Sequence, residues 1–344
     1  MLTSIGKIKM LNVPDPVIYN DTDVMIKMKV VGICGSDIHY YRNGRIGSQV
    51  VDYPFTLGHE GAGEVVEVGS GVNKIKPGDR IAIEPAMPCM ECDQCKAGRS
   101  HTCRNLRFLG CPGQAEGCLS EYLVMPESSC FAIPMSMSYD EAVISEPLAI
   151  GVYAVREAMP ANNTSMGILG FGPVGMSVMF AARAREIEII YVTDIINERI
   201  AIAAECGTTW SGNPEKQDIT DYILRKEPRG LDIVFECCGK QEAMDQALDL
   251  VKPGGKIIIV GIPEFDKWSF DADKLRRKEV SLVNIRRQNN ALEETLDMLS
   301  SERINVQPMV THRFSFENTD KAFKLVAGYS DGVMKAMIDI FKLQ

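Results

Sequence analysis

The segment Met166-Gly-Ile-Leu-Gly170-Phe-Gly172-Pro173-Val174-Gly175 places glycines in the spacing G-x-G-x-x-G, after a short apolar run and before the helical pattern Met176-Ser-Val-Met-Phe-Ala-Ala-Arg-Ala. The spacing alone is a weak signal; its context makes it constraining. A second apolar run, Ile187-Glu-Ile-Ile-Tyr-Val-Thr193, follows and ends at Asp194, 19 residues beyond Gly175. Strand, glycine turn, helix and second strand form one unit of a parallel sheet. The glycines let the backbone approach a pyrophosphate at the helix N-terminus. Asp194 can accept from both hydroxyls of an adenosine ribose and repels a 2′-phosphate, so the sequence predicts NAD over NADP. Arg199, five residues on, can favour that phosphate or stack on the adenine.

The alternation continues. Leu231-Asp-Ile-Val-Phe235 reads as a buried strand, Gln241 to Val251 as a helix, Pro253-Gly-Gly as a turn and Lys256 to Gly261 as another strand. Fully apolar strands covered on both faces by helices indicate an α/β fold with a doubly wound parallel sheet. The loops at the C-terminal strand ends face the ligand in such sheets. Here they are Glu236-Cys237-Cys238-Gly239, Gly261-Ile262-Pro263 and Asn284-Ile285-Arg286-Arg287.

The rest of the chain follows a different rule. Residues 23–33 alternate apolar and charged, as a strand with one wet face does, and deliver Cys34. Gly61 to Gly69, the turn Lys76-Pro77-Gly78-Asp79-Arg80 and the run Ile81 to Pro85 continue a compact, barrel-like β domain. A length of 344 residues suits two domains. We expect a first domain over 1–150, a dinucleotide-binding domain over 151–287, and a segment 288–344 that rejoins the first. That last segment carries a helix from Ala291 to Ser301, the run Val310-Thr-His312-Arg-Phe and a closing strand from Met334 to Phe341. His312 is expected to make a structural hydrogen bond.

Two clusters carry metal chemistry. Cys34-Gly35-Ser36-Asp37-Ile38-His39 and Gly58-His59-Glu60 supply a thiolate, an imidazole and a carboxylate, the side-chain types that bind zinc. Each is expected to follow a strand. The alternative is a buried cysteine and an unrelated surface His-Glu pair. Cys89, Cys92, Cys95 and Cys103 offer four thiolates within fifteen positions, which leaves a tetrahedral ion no open position and defines a structural zinc site. An iron–sulfur cluster is the competing reading; the polar loop of Glu91, Asp93, Gln94 and Lys96 favours zinc. His101, inside that loop, is expected on the surface. Glu146 precedes Pro147 in a helical pattern over 140–158, where proline suits the first turn of a helix. Glu146 then either caps that helix or faces the metal.

Composition removes other classes. A net charge of −9 and a pI near 5.2 argue against nucleic acid or an anionic membrane as the main partner. No apolar run reaches the length of a membrane span. Eleven cysteines without a secretion signal point to a reducing, cytoplasmic setting. The six cysteines outside the two clusters are expected to be small core residues.

Together these motifs resemble the zinc-dependent medium-chain dehydrogenase family across essentially the whole chain. Cys34-Gly-Ser-Asp, Gly58-His-Glu, Lys76-Pro-Gly-Asp-Arg80, the four-cysteine lobe, the glycine fingerprint and Thr311-His-Arg-Phe occur in the family's order. Ser145-Glu146-Pro147-Leu148, His39-Tyr40-Tyr41 and Asn43-Gly44-Arg45-Ile46-Gly47 are most similar to the sorbitol and xylitol dehydrogenase branch. The resemblance implies a GroES-like β-barrel catalytic domain with an inserted Rossmann domain. It implies NAD-dependent oxidation of a secondary alcohol of a polyol to a ketose, with catalytic and structural zinc. The catalytic zinc would be held by Cys34, His59 and a glutamate, either Glu60 directly or Glu146, the latter also reached through water or by substrate. By the same matching, Ser36 and His39 resemble a proton relay, Tyr40 lines the substrate pocket, and Arg286 binds substrate hydroxyls. Arg287 stands where sorbitol dehydrogenases have a tyrosine, which leaves room for a carboxylate- or phosphate-bearing substrate. Simple-alcohol and threonine-type dehydrogenases, and a non-catalytic NAD-binding protein, are the alternatives. A homo-oligomer, tetramer or dimer, is implied.

Overall fold

The alternation at the start of the chain becomes the ten-residue strand Asp23–Gly32, with Val24, Ile26, Met28 and Val30 buried and Met25, Lys27 and Lys29 half-buried. The structure is a computed structural model and describes residues 1–161 and 163–341. It divides into two compact units, Met1–Glu146 with Leu292–Gln344, and Pro147–Ala291.

In the first unit, Asp23–Gly32 is the central strand of a seven-stranded sheet. Along one side it pairs antiparallel with Glu60–Val68, which continues through Arg80–Ile83 to Cys130–Ala132. Along the other side its first half pairs with Tyr122–Pro126 and its last residues pair with Lys335–Asp339, which lies parallel to Val310–Ser315. The chain's C-terminal strands therefore complete the N-terminal sheet. Ile26, Met28, Ile81, Ile83, Met125 and Ile338 meet in its core.

The second unit is a six-stranded sheet, parallel throughout. Its strand order is Trp210–Gly212, Ile189–Thr193, Ser165–Leu169, Leu231–Glu236, Val251–Ile259 and Ser281–Asn284. Chain order runs outward one way from Ser165–Leu169 and the other way from Leu231–Glu236. Ligands bind where that order reverses. The Pro253-Gly-Gly stretch interrupts the pairing of Val251–Ile259 with a register shift.

Three local expectations change. The helix containing Glu146 runs from Tyr139 to Ala158, so Pro147 is interior and Glu146 does not precede a helix start. The start is set upstream by a capping box: Ser138 N–H donates to Glu141 Oε2 at 2.7 Å, and Glu141 N–H donates to Ser138 Oγ at 3.2 Å. Proline costs one helical hydrogen bond, and buried Ala142, Val143, Ile144, Leu148 and Ala149 hold the helix on either side of it. The second change is that His59 and Glu60 do not follow a strand; Glu60 opens one. The third concerns the six remaining cysteines: Cys111, Cys118 and Cys130 are buried, Cys206 and Cys237 are half-buried, and Cys238 is exposed at a strand end.

Candidate active site

Asp37 ties the two sequence clusters of the first unit together. It is fully buried in the first turn of the helix Gly35–Asn43. Its Oδ2 accepts from the Cys34 N–H at 3.0 Å, and its Oδ1 accepts from the Gly58 N–H at 3.1 Å. His59 Nδ1 lies 3.5 Å from the same Oδ1. A carboxylate behind the imidazole fixes its ring orientation, as outer partners of metal-binding histidines do. Burial disfavours a charge on His59, but Asp37 and Cys34 outweigh it and raise the imidazole pKa well above its ordinary value. The Phe108 ring packs on His59 with centroids 5.5 Å apart.

The result is a chelating set. Ligand atoms of Cys34, His59 and Glu60 all lie within 4.8 Å of one another, with His59 and Glu60 buried and Cys34 half-buried. One thiol, one imidazole and one carboxylate suit zinc and leave a fourth position open. Glu60 has a second partner that sequence reasoning missed. Buried Lys335 donates to Glu60 Oε1 at 2.7 Å, to Oε2 at 2.6 Å and to the Ile33 carbonyl at 3.3 Å. The available signal was a lone lysine in the apolar run Val333-Met-Lys-Ala-Met-Ile338.

Glu146 stands outside the three-residue set. Its side chain is buried and its Oε2 has no hydrogen-bond partner. Burial pushes its carboxyl up to about 8; Glu60 and Glu84 add to the rise, while His59 and Lys335 oppose it. The first unit thus holds two buried glutamates in different states, one paired with a lysine and one with a bare oxygen.

On the helix that Cys34 opens, Ser36 and His39 are half-buried and three residues apart, hence on one face. Tyr40 is buried; its hydroxyl donates to Gln49 Oε1 at 3.1 Å and lies 3.8 Å from Cys111 Sγ.

The four-cysteine lobe is assembled as its spacing requires. Sulfur separations are 3.4 Å for Cys103–Cys89, 3.6 Å for Cys92–Cys95 and 3.9 Å for Cys92–Cys103. A tetrahedral zinc with bonds of about 2.3 Å would need roughly 3.8 Å between sulfurs, so the residues fit the ion. Backbone N–H groups of Arg104 and Cys95 lower the Cys92 thiol to about 6. His101 is buried, not on the surface: the 3-10 turn Ser100–Thr102 carries its ring inward just before Cys103.

The second unit presents the dinucleotide features. Gly170 has φ +94°, and a Cβ on Gly175 would stand 2.0 Å from the Gly170 carbonyl oxygen, so the turn closes only with glycine. Gly172 precedes the helix Pro173–Arg183, with Pro173 at its first position and Val174 next. Asp194 is buried; its Oδ2 accepts from the Phe171 N–H at 2.7 Å and its Oδ1 from the Ile196 N–H at 2.8 Å. Arg199 Nη1 is 4.0 Å from Asp194. Each carboxylate oxygen keeps a further lone pair, so the acid and the glycine turn fit a ribose and a pyrophosphate. Gly261 follows the strand Val251–Ile259; Arg286 is exposed and Arg287 half-buried beyond Ser281–Asn284.

Two family profiles match the chain, "Alcohol dehydrogenase GroES-like domain" over residues 20–135 and "Zinc-binding dehydrogenase" over 173–301. A sorbitol dehydrogenase of Bacillus subtilis (strain 168) is 37% identical over 333 residues, covering 96% of this chain and 93% of the relative. This chain is a zinc-dependent medium-chain dehydrogenase. An L-idonate 5-dehydrogenase of Vitis vinifera is 35% identical, over 87% of this chain and 82% of its own. A crystal structure from Escherichia coli, described as an oxidoreductase/dehydrogenase of unknown specificity involved in membrane biogenesis, superposes with a TM-score of 0.93 at 34% identity, over 99% of this chain and 98% of its own. The medium-chain dehydrogenase architecture, a GroES-like domain with a Rossmann-type sheet, accounts for both units. Among the described residues no helix is long and apolar enough to cross a membrane.

Proposed function

We propose that this dehydrogenase oxidises a secondary alcohol of a polyol reversibly to a ketose, with NAD as acceptor. The observation that carries this reading is the convergent set of half-buried Cys34 and buried His59 and Glu60, in a unit whose Glu146 occupies the Ser-Glu-Pro-Leu motif of the polyol branch. The similarity to sorbitol dehydrogenases supports it. When bound, zinc polarises the alcohol oxygen and NAD takes the hydride.

The chain's own residues do the rest. Cys34, His59 and Glu60 hold the metal; Asp37 orients His59 and Lys335 orients Glu60. Glu146, buried and with a bare oxygen, hydrogen-bonds the substrate or its water. The Ser36 hydroxyl takes the alcohol proton as it gives up its own, and the relay runs toward His39, on the same helix face, which passes a proton outward. Tyr40 lines the pocket. Cys89, Cys92, Cys95 and Cys103 hold a second, structural zinc. The first unit is the catalytic domain and the second binds the cofactor through Gly170, Gly172, Gly175, Asp194 and Gly261. The chain works in the cytoplasm as a homo-oligomer, a reading supported by eleven free cysteines for the compartment and by family resemblance for the assembly.

A second reading, a sugar-acid or polyol-phosphate substrate, is favoured by adjacent Arg286 and Arg287 and by the similarity to an L-idonate dehydrogenase. The test is NADH absorbance over sorbitol, xylitol, a sugar acid and a polyol phosphate, with and without added zinc. Turnover of a polyol that needs zinc is expected. No turnover of any of the four by the zinc-replete protein would overturn the reading.

A further inference from the structure

Glu236 ends the strand Leu231–Glu236, next to Ser165–Leu169 at the point where strand order reverses. It is fully buried, and its two carboxylate oxygens do unequal work. Oε1 accepts from the N–H groups of Cys238 at 2.9 Å, Gly239 at 2.6 Å and Lys240 at 3.4 Å, and from the Cys238 thiol at 3.2 Å. Oε2 has no hydrogen-bond partner. It faces Gly261, where a Cβ would stand 2.6 Å from Oε2 and 2.3 Å from the Gly239 nitrogen.

Those three N–H groups are consecutive in the loop that leads into the helix Gln241–Leu250, the last of them belonging to its N-cap, Lys240. Successive backbone N–H groups that converge on one point form an anion seat. The same sheet edge already has one such seat at the glycine turn before Pro173–Arg183. The two are close: a Cβ on Gly170 would lie 2.7 Å from Cys238 Cβ. A dinucleotide entering here would meet two places for its phosphates, and one of them is filled by the chain's own carboxylate.

We propose that Glu236 is a positioning residue for the cofactor: it plugs the second anion seat and shapes the turn beside Gly170, so that the dinucleotide phosphates have a single register. The inference rests on the second unit binding a dinucleotide. It explains why a carboxylate is buried with one oxygen bare: Oε1 serves the seat, and Gly261 leaves the space that Oε2 occupies.

The test is NADH binding followed by nicotinamide fluorescence, on the zinc-replete full chain, for wild type, Glu236→Gln and Glu236→Ala, without and with inorganic phosphate. Glutamine keeps an acceptor in the seat, so Glu236→Gln should stay within about threefold of wild type and remain insensitive to phosphate. Glu236→Ala empties the seat; its Kd for NADH should rise about tenfold or more, and rise further with phosphate. KM for NAD should follow Kd, with a smaller change in kcat. Melting temperatures are recorded alongside, because a purely structural role would lower Tm without creating phosphate sensitivity. If Glu236→Ala does not fold, Glu236→Asp, one methylene shorter, withdraws the carboxylate from the Cys238 and Gly239 N–H groups and should weaken NADH while Glu236→Gln does not. Equal NADH affinity in wild type and Glu236→Ala, or equal losses in the Gln and Ala variants, would overturn the proposal alone. A wild type that binds no NADH overturns the dinucleotide reading and this proposal with it.

Discussion

Lys335 Nζ lies 2.7 and 2.6 Å from the two carboxylate oxygens of Glu60, and both side chains are out of water. Burial disfavours the ammonium, but Glu60 and Cys34 overcome that and hold the Lys335 pKa above its ordinary value. The lysine therefore offsets the negative charge that the chelating set concentrates. Removing one partner of a buried pair leaves an uncompensated charge, which typically costs about 3–5 kcal/mol. Lys335→Met should destabilise the metal-free chain by that order in urea denaturation. Lys335→Met with Glu60→Gln should recover much of the loss, because no charge is then left bare. Equal stability of Lys335→Met and wild type would mean that the pair is not compensating charge.

Glu146 gives the metal-free protein a pH signature. Its carboxyl is pushed from an ordinary 4.5 to about 8, first by burial. Between those values the native chain binds more protons than the unfolded one. Stability from this group is therefore complete below about 4.5 and is lost as pH rises through about 8. Glu146→Gln should flatten the fall in stability between pH 5 and pH 9, read by urea denaturation after metal removal. Parallel profiles for the two proteins would show that Glu146 does not titrate there.

Asp194 accepts backbone N–H groups from both Phe171 and Ile196. Asp194→Ser should weaken NAD by about tenfold, the scale of one charge-assisted hydrogen bond. It should also narrow the gap to NADP, because the charge that repels a 2′-phosphate is gone and Arg199, 4.0 Å away, can turn to it. Catalytic efficiencies with the two cofactors measure this. Equal wild-type efficiency with NAD and NADP would remove Asp194 from the ribose.

The proposed role of Arg286 is to bind substrate hydroxyls, since a guanidinium can donate two hydrogen bonds to neighbouring hydroxyls. Arg286→Ala should cost about tenfold to a hundredfold in kcat/KM, from roughly 1.5–3 kcal/mol. Arg287 has a left-handed backbone, φ 57°, so Arg287→Asn removes its charge with little strain. If Arg287 meets substrate, that variant should shift preference from anionic toward neutral polyols, as should Arg287→Tyr. An unchanged ranking across sorbitol, xylitol, a sugar acid and a polyol phosphate would make Arg287 a surface charge.

The features legible in the sequence are those whose partners are close along the chain. The Gly170–Gly175 turn closes on itself within six residues, and Cys89 to Cys103 fold around one point, so spacing alone states the geometry. Alternating and continuous apolar runs likewise assigned the two kinds of sheet, because burial on one face or two is a local pattern. Helix continuity at Pro147 was not legible: the Ser138–Glu141 capping box starts the helix, and burial on both sides of the proline outweighs one lost hydrogen bond. Nor was the inward turn of His101. The inner electrostatics of the site were decided by tertiary structure alone. Asp37 reaches Gly58 across 21 residues and Lys335 reaches Glu60 across 275, and only the pairing of Lys335–Asp339 with the end of Asp23–Gly32 brings that lysine to Cys34, His59 and Glu60. A charge inside a protein takes its meaning from whichever charge is folded against it, and contacts between distant segments leave no periodicity or spacing to read.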